Sequence, residues 1–139
     1  GAGRFFRHDG CMSALLVMAS LRDTHEAFAW IMVIGNGLAG LWSLAAHRVE
    51  ALRGRALWWF VALVQFSVAV QVTLGVGLVA GQDIEPPQFH LFYGFVALIT
   101  VGIVYSYRQS MRPYRHLLYG GAGLFLMGLG IRAMLVSAV

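Results

Sequence analysis

The sequence predicts an all-α integral membrane protein: a four-helix transmembrane bundle preceded by a short N-terminal interfacial helix. Three observations predict it. Of the 139 residues, 59 % are hydrophobic and 12 % charged, about half the charged fraction of an ordinary globular chain. Four apolar segments reach the roughly 20 residues a helix needs to cross hydrocarbon. Arginine collects in two of the connecting loops.

The elements follow in order. Residues 11–21, "CMSALLVMASL", are apolar but too short to span, and Arg22, Asp23 and Glu26 follow at once. Arg4 and Arg7 ahead of this run, with "MAS" at 18–20, give it the outline of a signal peptide. The reading adopted is an interfacial helix, so residues 1–22 are a tail and 23–139 the transmembrane domain. The spans are expected near 25–46, 57–80, 89–107 and 117–138. They are separated by "HRVEALRGR" (47–55), "GQDIEPP" (81–87) and "RQSMRPYRH" (108–116). Pro86 and Pro87 stand just before the third span, where a missing N–H costs no intrahelical bond.

Loops 47–55 and 108–115 carry six arginines against one acid, Glu50. By the positive-inside rule these loops are cytoplasmic. Both termini and the 81–88 loop are then external, in an inner (plasma) membrane.

Some chemistry is excluded. All ten basic residues are arginine, so no lysine Schiff base can form. The single cysteine, Cys11, rules out an internal disulfide and a Cys-rich metal site. "GGAGLFLMGLG" (120–130) lies inside a span with no preceding strand, so it is no phosphate loop. With "GNGLAG" (35–40) and "GVG" (75–77) it supplies small residues that let helices approach closely. No nucleic-acid partner is expected.

The histidines carry the functional reading. His25 opens the first span and His90 the third, both on the external side and at matching depth. One turn deeper, Ala29 follows His25 and Gly94 follows His90 on the same helical face. Two imidazoles on facing helices, each with a small residue behind it, suit a flat macrocycle with axial histidines. The alternative is that both are interfacial anchors. His47 and His116, at the arginine-rich boundary, are read as solvated, and His8 carries no signal. Arg132, inside the fourth span, is a partner for a haem propionate or else snorkels outward. Gln71 lies in the outer half of the second span. Asn36 and Gln65, deeper, read as interhelical hydrogen-bonding residues.

Overlaying span 1 on span 3 aligns His25 with His90 and Ala29 with Gly94; span 2 on span 4 aligns Gly75-Val76-Gly77 with Gly128-Leu129-Gly130. The run "VQVTLGVGLVAGQDIEPPQFHLFYG" (70–94), with the "AHR…RALWW…Q" before it, resembles the haem A synthase family. That family is built of two pseudo-symmetric four-helix halves, each with a histidine pair, and this chain matches one half over about residues 22–138. The resemblance implies His25 and His90 as ligands of haem b, with Gln71 and Gly75 in the motif between them. Where the family's catalytic half has a glutamate one turn before the ligand histidine, this chain has Arg22; where arginine follows that histidine, Glu26 stands here. The resemblance therefore implies a haem-b-type half and no hydroxylation of haem O.

The expected function is a small cytochrome-b-like protein, with one haem b on His25 and His90, for electron transfer or haem handling in respiratory-complex assembly. Ala29, Gly94, Gln71 and Arg132 complete the site, and a homodimer would stand in for two fused halves. The alternative is a cofactor-free accessory subunit of a larger membrane complex. A transporter is disfavoured by the shortage of polar residues within the spans.

Overall fold

A computed structural model describes the backbone of residues 2–82 and 87–138, with side chains over 9–81 and 87–137. It contains four long helices: α1 (Ala2–Arg48), α2 (Arg55–Gln82), α3 (Gln88–Tyr107) and α4 (Arg115–Ala138). All four are long and apolar enough to cross a membrane. Short 3-10 turns at Glu50–Leu52 and Arg112–Tyr114 interrupt two of the connections. The third predicted break, "GQDIEPP", lies mostly outside the described residues; Pro87 directly precedes α3 and its carbonyl accepts from the His90 and Leu91 amides.

One expectation is corrected. The short interfacial helix over 11–21 does not stand apart from the first span: α1 runs unbroken for 47 residues, about 70 Å at 1.5 Å per residue. The charges at 22–26 interrupt the hydropathy and not the helix. No proline intervenes, and Arg22 and Glu26 form an i,i+4 ion pair at 3.7 Å that bridges the supposed break. The domain boundary drawn at residue 22 falls inside this helix.

The α1–α2 connection is held from both sides. Arg53 donates through Nε to the Ala46 carbonyl (2.6 Å) and through Nη2 to that of His47 (2.7 Å), satisfying carbonyls the helix end leaves open. Trp42 Nε1 donates to the Leu52 carbonyl at 2.9 Å.

Around the bundle, α1 packs on α2 and α4, and α3 packs on α4; α2 and α3 barely touch. Hence α1 and α3 face each other across the diagonal, and the α2–α3 seam is loose. Glycine sets the closest contact. A Cβ on Gly123 would lie 2.8 Å from the backbone of Gly40 and 2.7 Å from the Asn36 carbonyl oxygen; one on Gly40 would meet Gly120 and Leu124 backbone at 2.9 Å. Only glycine permits that approach. Further out, Gly130 faces Met32 and Val33, so positions rise on α1 as they fall on α4 and the pair is antiparallel. Two apolar clusters fill the interior: Ala39, Ala46, Leu57, Val61 and Val64 at the loop-rich end, and Met32, Val33, Val68, Ala97 and Leu126 above.

The polarity is distributed inside out. Asn36, Ser43, Ser67 and Gln71 are buried, while Leu38, Leu41, Leu63, Phe66, Phe92, Ile99 and Phe125 are each more than half exposed. Replacing Gly40 or Gly123 by leucine should therefore cost at least about 2 kcal/mol of stability, since overpacking here meets backbone rather than a movable side chain. Gly121→Leu, which enters open space, should stay within about 0.5 kcal/mol of the parent. Denaturation in mixed micelles followed by circular dichroism checks both; equal effects at all three positions would contradict the packing.

Candidate functional site

A cavity of about 890 Å³ lies at the end of the bundle that carries the 81–88 connection. All four helices line it, and its floor is the upper apolar cluster, through Met32, Val33, Val68 and Ala97. Its size falls within the roughly 300–1,000 Å³ of sites that hold small molecules and cofactors.

Five of the six residues singled out in the sequence meet on its wall: His25, Ala29, Gln71, His90 and Gly94. His25 and His90, 65 positions apart, face each other with ring centroids 5.9 Å apart and planes inclined at 63°. Two imidazoles ligating one metal ion from opposite sides, through bonds of about 2.0–2.1 Å, hold their centroids roughly 6 Å apart. The observed spacing would allow both rings to reach one metal ion between them.

Each histidine is braced by the helix beside it. On α4, the Ala133 carbonyl lies 3.0 Å from His90 Nδ1. A carbonyl can only accept, so Nδ1 carries a proton, and in the neutral imidazole Nε2 then holds the lone pair. Ser137 fits this tautomer: its hydroxyl donates to the same carbonyl at 2.9 Å, and its oxygen lies 2.5 Å from Nδ1. An N–H anchored to a backbone carbonyl is the usual support of a ligating histidine. On α2, Gln71 Nε2 donates to the His25 carbonyl at 2.7 Å. Gly75 makes room for the His25 ring, which a Cβ there would meet at 3.3 Å. His25 Nδ1 and Gln71 Oε1 are buried without a hydrogen-bond partner among the described residues.

The sixth residue, Arg132, is not on the cavity wall. It is exposed, and its Nε lies 3.4 Å from the hydroxyl of Tyr93, which does line the cavity. The arginine on the wall is Arg22, beside Glu26. Sequence reasoning missed Arg22, Tyr93 and Ser137 as site residues. Of these, Arg22 left the clearest trace, one turn before His25 and so on the same helical face.

No group of three or more His, Cys, Asp or Glu converges among the described residues. Comparison of the chain with protein-family models, with curated proteins and with solved structures returns no match.

Because Gln71 ties α2 to α1 across helices while the Thr73 hydroxyl bonds only within its own helix, the two should differ on truncation. Gln71→Ala is expected to lower the unfolding free energy by about 1 kcal/mol and Thr73→Ala by no more than about 0.5 kcal/mol, measured by denaturation in detergent. The reverse order would contradict the interhelical role.

Proposed function

We propose that this is a small membrane cytochrome of the b type, with one haem b held between His25 and His90. The observation that carries the proposal is the 5.9 Å separation of the two imidazoles across a cofactor-sized cavity. Ala29 and Gly94, both small and both on the wall, leave width for a macrocycle beside each ring. The Ala133 carbonyl and Ser137 hold His90 with Nε2 available. Arg22, on the wall, is the partner for a propionate, while Arg132 stands outside the cavity against the hydroxyl of the wall residue Tyr93.

The helices cross the plasma membrane in this reading, with arginine loops cytoplasmic and the haem near the external face. The apolar exterior and buried amides support a lipid solvent. The resemblance to one half of the haem A synthase family supports the same ligand pair. Because Arg22 occupies the place of that family's catalytic glutamate, the activity proposed is electron transfer or haem handling in respiratory-complex assembly, and a homodimer would restore two halves. The accessory-subunit alternative loses part of its motive: Gly35, Gly37, Gly40, Gly120, Gly123 and Gly130 all face contacts within the bundle.

The test is a visible spectrum of the detergent-purified protein, oxidised and dithionite-reduced, from cells supplied with haem. A Soret band and sharp reduced α and β bands are expected. His25→Ala and His90→Ala should each lower haem content at least about tenfold, given that losing even an outer-shell support costs 10–100-fold at metal sites. A colourless parent, or full haem content in both variants, would refute the proposal.

A further inference from the structure

We propose that a second cavity, at the opposite end of the bundle, binds an anionic phospholipid by its phosphate. This cavity, about 520 Å³, lies along the loose α2–α3 seam and is closed from behind by α4. Val61, Ala69 and Val101 give it an apolar stretch, with Gln65 and the exposed Phe66 beside them. Its mouth carries three arginines, Arg108, Arg112 and Arg115.

Two of these guanidinium groups are fixed by neighbours. Arg108 lies over the Tyr105 ring at 3.7 Å and donates through Nη1 to the Tyr105 carbonyl at 2.7 Å. Arg115 lies over the Trp58 ring at 4.3 Å, with its Nε buried and unpartnered. Neither contact supplies negative charge. Among the described residues the one ion pair is Arg22–Glu26, at the other end of the molecule. Glu50, the one acid in the two arginine loops, is absent from the cavity wall.

Three like charges held around one opening repel each other unless an anion joins them. A guanidinium presents a planar fork of donors that matches a phosphate. The apolar stretch behind the arginines decides between a lipid and a soluble anion. Inorganic phosphate would occupy the mouth alone, whereas a phospholipid lays a chain along Val61, Ala69 and Val101 while its headgroup meets the arginines. Basic pockets between helices on the cytoplasmic side bind anionic headgroups in this manner. The inference rests on the helices crossing a membrane and is independent of haem.

The experiment is native mass spectrometry of the delipidated full chain, titrated with phosphatidylglycerol, with phosphatidylcholine of the same acyl chains, or with inorganic phosphate. Phosphatidylglycerol should bind at least about tenfold more tightly than phosphatidylcholine, since each nearby cation is worth roughly fivefold. The R108Q/R112Q/R115Q variant should lose that preference, and Arg112→Gln alone, at an exposed position that bears no packing, should lower it about threefold. Arg48→Gln with Arg55→Gln, outside the cavity, should retain it. Equal binding of the two lipids, a preference surviving in both cavity variants, or displacement of phosphatidylglycerol by equimolar phosphate would overturn the proposal.

Discussion

Backbone contact between Gly40 of α1 and Gly123 of α4 is the constraint on which the rest of the bundle depends. Between helices already surrounded by apolar neighbours, burial of more apolar surface offers little, and close packing must hold them. At this crossing no side chain intervenes, and a single added methyl group would strike peptide atoms. The contact fixes α1 and α4 antiparallel and in register, and Gly130 against Met32 and Val33 continues it outward. Helix α2 then attaches to α1 and α3 to α4, with nothing of comparable strength joining α2 to α3. Both cavities draw on that loose seam, one at each end.

The histidine site follows from this arrangement. Diagonal helices bring His25 and His90 to the centre, and each neighbouring helix braces one of them. The bracing is not symmetric. On α2, Gln71 holds the His25 backbone and Gly75 shapes its ring's space, while on α4 the Ala133 carbonyl and Ser137 grip the His90 ring itself. The sequence repeat that aligns His25 with His90 is therefore kept in the helices that carry these histidines and lost in their supports. The α1–α4 glycine seam has no counterpart between α2 and α3 for the same reason.

The helices were legible because apolar length and arginine-bearing breaks are one-dimensional properties, and the glycines of "GNGLAG" and "YGGAGLFLMGLG" indicated close approach. The continuity of α1 was not, because Arg22, Asp23 and Glu26 lower hydropathy as a loop does, while Arg22 and Glu26 are good helix formers joined by an i,i+4 pair. That His25, Ala29, His90 and Gly94 would share one cavity wall was legible from matched depth and a one-turn offset, a pattern that helical periodicity carries; Gln71 joined them from its depth in the second span. Arg132 was misplaced because depth along α4 says nothing about which face a residue occupies: its neighbours Ile131 and Ala133 line the cavity and Arg132 does not. Arg22, one turn before His25, follows from the same periodicity, whereas Ser137 depends on how α4 rotates about its axis, which the Gly40–Gly123 contact sets and no local pattern reports.

The central claim is that both imidazoles hold one iron from opposite sides. Electron paramagnetic resonance of the ferric protein, quantified against total chain, tests it most directly. The account predicts a low-spin signal of six-coordinate, bis-imidazole iron integrating to one centre per chain. A high-spin, five-coordinate signal from haem-loaded protein would contradict it, leaving one of the two histidines outside the iron's coordination shell.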